Sequence, residues 1–354
     1  MPGGVTGREV SAAFVKAPNN SWGVTTAVTK GIYLTSDGGM KPNPDIITDP
    51  SFGQRFLGPS EVGNQQAVAF TLEKQARYHD HGFILEALAM GSPAAVTLSN
   101  SVSGQTASFQ HVIDLAQNIN GLSITFAIDK SVHVEEMTSA KVHGWSIENG
   151  DGGVMRQTFQ LLGSKPTITG TTNTPGAIAA ASFPTLDKRL QMQQGVFRMN
   201  VNSGNTLAST DAVDLEGIKF SFSRPQDAPN VFGQQYCVEP ADNGFPTFDL
   251  ELSYPRMTAA SASSTRAALE AGTAWKADWT FTGVSINATD SYQFKLQFPY
   301  LQIVEWEAPT SGANQIKPKV KLAARLAPTS PSGMPFLNPM RLTRITNFSF
   351  HAFA

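Results

Sequence analysis

The chain has a single cysteine, Cys237, among its 354 residues. One thiol excludes an intrachain disulfide framework, and the ordinary role for it is a small buried or half-buried filler. Charge is scarce as well, at 15 % of residues, against the usual quarter. A surface so poor in charge suits large contacts with other subunits. The net charge of −2 lacks the basic surplus of a dedicated nucleic-acid binder. Long apolar runs are missing too. The longest, residues 83–90, is interrupted by Glu86 and is far too short to span a bilayer. Residues 1–22 hold no apolar core and no cleavage-site pattern, so a protein made and folded in a cytoplasm is expected, with no membrane insertion.

Signatures of chemistry are equally thin. No glycine-rich phosphate loop precedes a helix, and no nucleophile elbow, His-Glu-x-x-His or paired-cysteine spacing occurs. His79 and His81 flank Asp80, but two imidazoles beside a helix start seldom converge, and no third ligand is evident. Glu135 and Glu136 are adjacent, so on a strand they point to opposite faces and cannot act as a pair. The run Asn149-Gly150-Asp151-Gly152-Gly153 lacks the spaced oxygens of a calcium loop and reads as a hairpin turn. The expectation is a non-enzyme with no cofactor and no metal.

What is present is β-structure and repetition. Hydrophobic residues make up 41 %, enough for real cores. Phe248, Leu250, Leu252 and Tyr254 alternate with Asp249, Glu251 and Ser253, giving a strand with one wet and one dry face. A helix over 264–271 closes at Gly272, and strands follow at 275–284 and 292–307. The first half does the same. Val68, Phe70 and Leu72 alternate, and a helix spans 80–90 with Asp80 as its cap and Gly91 as its stop. Leu122, Ile124, Phe126 and Ile128 then alternate again. The helices share Leu85-Glu86-Ala87 and Leu269-Glu270-Ala271. One mainly β module is written twice.

The boundaries follow composition. Residues 1–165 form module 1, with an extended arm over about 1–29 and a long loop over about 36–65. Residues 166–194, rich in Thr, Pro, Gly and Ala, form a linker that packs across a surface. Residues 195–327 form module 2, with a long loop over about 224–246. Residues 328–354 form a C-terminal arm, whose strand-like 340–350 is a candidate to pair with a neighbour's sheet edge. The long loops precede equivalent strands and carry Ile46, Ile47, Phe52, Phe56, Leu57, Phe232, Tyr236 and Phe245. Apolar groups on loops of that length need a partner surface. Loss of residues 38–59 is expected to spare module folding and block stacking of one assembly on another.

Here a resemblance enters. The segments "LEALAMGSP", "GLSITFAID", "SAKVHGWSIENGDGGVMRQTFQLLGSK", "TFDLELSY" and "YQFKLQFPYLQIVEWE" resemble the phage tail tube (major tail protein) family in its two-module form, from about residue 5 to 327. The resemblance implies small β-sandwich or rolled-barrel modules, each flanked by a helix. They stand side by side in rings around a lumen. Single-module members form hexamers, so two modules imply three copies per ring with pseudo-sixfold symmetry. Rings stack through the long loops, whose eight apolar residues become the inter-ring contacts.

The resemblance also implies partners: other copies of the chain, tail proteins such as the tape measure, baseplate or tip and terminator, and phage DNA in transit without sequence-specific binding. The location implied is the tail of the virion, after synthesis in the host bacterial cytoplasm. Six modules with about four strands each, about 4.8 Å apart and tilted by about 40°, give a bore of about 35–40 Å. A duplex roughly 20 Å wide would pass, by the same dimensions. The nearest rival is a secretion-system-type tube. A carbohydrate-binding or hydrolytic β-sandwich would cluster its aromatics, whereas Trp22, Trp145, Trp275, Trp279 and Trp306 are spread along the chain. An outer-membrane barrel would need a secretory signal and no internal helices.

Overall fold

The computed structural model describes residues 10–48, 60–91, 95–100, 106–168, 172–184, 188–258, 265–310 and 314–348. The fold is mainly β, with one short helix in each half. In chain order the first half has β1 (Ser11–Lys16), β2 (Lys30–Ile32), β3 (Pro44–Ile47), β4 (Glu61–Gln65), β5 (Val68–Gln75) and α1 (Gly82–Met90). It continues with β6 (Ala95–Asn100), β7 (Ser108–Asp114), β8 (Ile124–Asp129), β9 (Val134–Asn149) and β10 (Met155–Thr167). A short α2 (Pro175–Ala179) lies between the halves. The second half has β11 (Gly195–Val201), β12 (Gly217–Ser223), β13 (Gln226–Asp227), β14 (Ala241–Asp242), β15 (Thr247–Ser253) and α3 (Thr265–Ala271). It ends with β16 (Ala274–Ser285), β17 (Ser291–Glu307), β18 (Lys319–Ala324) and β19 (Arg341–Thr346).

The pairing scheme is the same in both halves. In the first, β1 pairs β8, β8 pairs β9, β9 pairs β10 and β10 pairs β5, all antiparallel. In the second, β11 pairs β16, β16 pairs β17, β17 pairs β18 and β18 pairs β15. Even the closing segment repeats. After β1 the chain returns along it, with Thr29 N–H donating to Phe14 O, then crosses to bridge β5 at Ser36 and Glu73. After β11 the Val213 N–H donates to Phe197 O, and β12 then runs along β15. Each half therefore rolls its sheet back toward its own first strand, which shelters strand edges from foreign pairing.

The halves are fused edge to edge. β12 pairs β15 on one side and the far end of β9 on the other, with Lys219 opposite Glu148 and Ser223 opposite Gly144. One hydrophobic cluster runs through both halves, with Trp145, Phe159, Phe220 and Phe298 in it. Trp145 meets Phe220 edge-on at 5.1 Å. Aromatic pairs of this kind add about 0.5–1.5 kcal/mol beyond area burial.

The structure corrects several expectations. The arm over 1–29 is not wholly outside the core: β1 is an interior strand, and Ala12, Ala13 and Phe14 are buried. Being buried on both faces, it shows no alternation. The loop over 36–65 carries a hairpin, β3 with β4, and the loop over 224–246 carries the small pair β13 with β14. The linker begins inside β10, which extends to Thr167, and its Ser182, Arg189 and Gln191 bridge Lys30, Arg77 and Val154 of the first half. There the buried Asn173 accepts from Val28 N–H at 2.8 Å and donates to Glu136 Oε2 at 2.6 Å.

The C-terminal arm is the largest correction. Its strand β19 needs no neighbouring molecule. It lies between β17 of the second half and β7 of the first, with Leu342 opposite both Leu296 and Ile113. Its Arg344 reaches α1, every residue of which is buried. Arg344 of β19 donates to Glu86 Oε1 on that helix at 2.5 Å and to Arg77 O at 3.0 Å. Gln157 also donates to Glu86 Oε1, at 2.6 Å. The matching Glu270 on α3 is exposed and pairs with Arg266 one turn away. The shared Leu-Glu-Ala triplet thus serves a core in one half and a surface in the other.

The start of α1 is built by Asp80, one residue before the formal cap His81. Its Oδ1 accepts from Gly82 N–H at 2.9 Å, and its Oδ2 pairs with buried Lys74. Burial pushes this carboxyl up, but Lys74, Arg344 and the Gly82 N–H outweigh that and hold it below the usual carboxylate range. Gly91 ends the helix at φ 73°, where a Cβ would sit 2.6 Å from Asn118 O, so only glycine fits.

Glu86 behaves oppositely. Burial pushes its carboxyl above the ordinary value of 4.5, against the pull of Arg344 and Gln157. The folded state then holds this proton longer than the unfolded chain does. Its stabilising contribution is full below the unfolded value and is lost as pH rises through the folded one. Thermal midpoints of the wild type, relative to those of Glu86→Gln, should therefore fall as the pH rises above the ordinary carboxylate range. A gap that widens in favour of the wild type as the pH rises contradicts this.

Candidate functional site

The two long loops lie side by side. Gln65, at the end of β4, bridges Tyr236 in parallel, and its N–H donates to Gln235 O at 2.7 Å. The second loop belongs to the second half by sequence but is rooted on the first. Two buried cations do this. Arg224, wholly buried, donates from Nη1 to Gln117 O at 3.1 Å and Asp242 Oδ2 at 3.0 Å. Its Nη2 donates to Ala116 O at 2.9 Å, just past the end of β7, where the Ala116 N–H in turn donates to Met90 O at the C-terminus of α1. Lys141 of β9, also buried, pairs with Glu239 Oε1 at 2.8 Å and donates to Pro240 O. Glu239 Oε1 in turn accepts from Gly121 N–H at 2.6 Å.

Smaller contacts finish the root. Trp22 Nε1 donates to Cys237 O at 3.2 Å, and Lys165 Nζ lies 5.6 Å from the Tyr236 ring centre. Tyr236 is half-buried and Cys237 is buried. Burial pushes the Cys237 thiol up, so it stays a neutral filler.

Above this root the apolar side chains have no cover. Phe232 is 108 % exposed and Phe245 is 92 % exposed. On the neighbouring hairpin Ile46, Ile47 and Val62 are each more than half exposed. Of the eight apolar residues singled out in the sequence, four are thus presented to solvent and Tyr236 helps to anchor. Phe52, Phe56 and Leu57 lie outside the described residues. The expected harmlessness of losing residues 38–59 needs correction, because Met40 is a core residue and Gly38 backs against Thr71. A replacement confined to 45–64 respects those contacts.

Sequence reasoning missed Arg224 and Lys141. Little local marks them, since apart from Asp242 their partners are about a hundred positions away and mostly backbone carbonyls. Arg224→Lys keeps the charge and loses the planar fork. It should cost about 1.5–3 kcal/mol of stability by unmaking charge-assisted bonds in a buried place. It should also raise proteolytic cutting within 226–245. A thermal midpoint and cutting rate equal to wild type contradict the rooting role.

Among the described residues no group of three or more His, Cys, Asp or Glu could hold a metal ion. No described helix is long and apolar enough to cross a membrane.

No family model matches the chain, and no curated protein does. Among solved structures, a chain from the virion of a native gene transfer agent particle matches at 10 % identity. The match spans 41 % of this chain and 95 % of that one, with a TM-score of 0.25. A likeness that low carries no argument about what this chain does.

Proposed function

We propose that the chain is a structural subunit of the tail tube of a tailed bacteriophage. Three copies form each ring, and stacked rings conduct double-stranded DNA from capsid to host cell. One observation carries the reading: the same strand order occurs twice and is joined edge to edge through β9 and β12. Edge-joined repeats are how a hollow cylinder is built, since rotation closes a ring and head-to-tail contact extends it. The rooted loops supply a second kind of contact. Phe232, Phe245, Ile46 and Ile47 stand on a preformed base, so stacking another ring on them costs little ordering entropy.

In this reading the partners are copies of the chain and other tail proteins, among them tape measure, baseplate or tip and terminator. DNA passes through without sequence-specific binding, and the location is the virion tail. The near-balance of charge suits a conduit, because a cationic lining would grip phosphate. Negative-stain microscopy of the purified protein tests this. Rings or tubes with a central bore are expected, with image averages showing three chains per ring. Dispersed globules at high concentration, or six complete chains per ring, overturn it.

A further inference from the structure

The junction inside one chain supplies a template for the junction between chains. Two parallel facts fix the correspondence. Phe70-Thr71-Leu72-Glu73 on β5 matches Phe248-Asp249-Leu250-Glu251 on β15, with Phe70, Leu72, Phe248 and Leu250 buried. Glu73 bridges Ser36, and Glu251 pairs Lys219. Ser36 therefore stands where Lys219 stands. Across the sheet, Gln75 pairs Arg156, which pairs Glu148. In the second half Ser253 pairs Lys319, which pairs Glu307. Glu307 therefore stands where Glu148 stands.

Inside the chain those two places meet, since Lys219 lies opposite Glu148 with Nζ 3.4 Å from its Oε2. At the outer ends they do not. β16 leaves β17 at Gln302, paired with Ala274, and no described strand covers the same edge over 303–307. Likewise no described strand pairs the outer side of residues 34–37. Val304, Glu305 and Glu307 are exposed at one end, and Tyr33, Thr35 and Ser36 at the other.

A pair of grooves supports the same match. In the second half a cleft of about 330 Å³ runs along β11 and residues 212–218, walled by Trp279 and Phe281. It is lined in part from the first half by the tip of the β9–β10 hairpin, where Asn149 Nδ2 donates to Glu216 O at 3.2 Å. The first half has its counterpart, also about 330 Å³, along β1 and residues 32–37, walled by Ile128 and Phe183. Ile128 and Phe281 are equivalent, since they pair Ala12 and Gly195 at matching points of β1 and β11. Among the described residues nothing corresponding to the β9–β10 hairpin tip lines that groove. The β17–β18 hairpin of another copy has the corresponding place in the fold to do so.

We propose that residues 303–307 of one copy pair antiparallel with the edge beginning at Ser36 of the next, Glu307 opposite Ser36 and Trp306 opposite Asp37. This deepens the tube reading by naming the edges through which its rings close. The contact is heterologous, so each copy offers one edge of each kind and the chain of contacts can close. Gly38 and Gly39, at φ 60° and 73°, turn the segment away just beyond the pair.

Directly opposed residues of an antiparallel pair have Cα atoms about 4.5–5.5 Å apart. That lies inside the disulfide window of about 4.4–6.8 Å. The test is Ser36→Cys with Glu307→Cys, in a Cys237→Ala background, oxidised after assembly and run on a denaturing gel. Nearly all of the protein should move from monomer to covalent multimers. Each single variant should stay monomeric, and an equal mixture of the two singles should stop at a dimer. Elution matching the parent under reducing conditions shows that the variant folds. Rings on the microscope grid without covalent multimers overturn the edge assignment and leave the tube reading standing. Covalent multimers without rings uphold the edges and overturn the tube. Monomers by both measures overturn both.

Discussion

Arg344→Met should lower the stability of the monomer by about 3–5 kcal/mol, the range for breaking a buried ion pair by removing one partner. Arg344 sits on β19 with 3 % of its side chain exposed, and Glu86 is fully buried on α1. The guanidinium also lies over the Phe294 ring, 4.9 Å from its centre. Removing it strands a carboxyl whose other oxygen, Oε2, has no hydrogen-bond partner among the described residues. The variant should therefore take up a proton at Glu86 at a higher pH than the wild type. Adding Glu86→Leu should restore most of the loss, because an apolar pair of similar volume replaces a buried ionic one at little cost. Thermal midpoints of the four proteins check this as a double-mutant cycle. A single-variant loss under about 1 kcal/mol, or no rescue, removes the ion pair from the account of how β19 holds the halves together.

Phe232→Ala combined with Phe245→Ala should leave folding nearly untouched and abolish assembly. Both rings stand in solvent, so the folding change should stay within about 0.5 kcal/mol. If they are anchors between rings, each is worth about 2 kcal/mol or more at the contact. Together that is about three decades in the concentration at which tubes appear. Turbidity or sedimentation against concentration reads this directly. Replacement of residues 45–64 by a short Gly-Ser turn should act in the same direction through Ile46 and Ile47. Tubes forming at the wild-type concentration in both variants would falsify the stacking role of the loops.

The mainly β fold was legible wherever a strand has one wet face. Residues 248–254 and 68–74 alternate because every second side chain meets the core. It was illegible where both faces are covered. Ala12, Ala13 and Phe14 are all buried, so β1 reads as an arm, and β9 loses its rhythm along much of its length. The place of β19 could not be read because its charged residues look like surface. Arg341 pairs with Asp114 and Arg344 with Glu86, both more than two hundred positions away. The exposed Phe232 and Phe245 were legible as apolar groups on a proline- and glycine-bearing loop. The buried cations beneath them were not, because Lys141 meets Glu239 about a hundred positions away and Arg224 spends most of its donors on backbone carbonyls of the first half.

The position of β19 also bears on synthesis. Helix α1 emerges from the ribosome long before the strand that carries its ion-pair partner. Until residue 346 is outside the exit tunnel, Glu86 has no guanidinium beside it and β7 lacks its partner on that side. Nascent chains halted before that point should be cut readily near α1 by added protease. The interior of the first half is thus completed only by the last strand described here, so translation runs well ahead of the final packing.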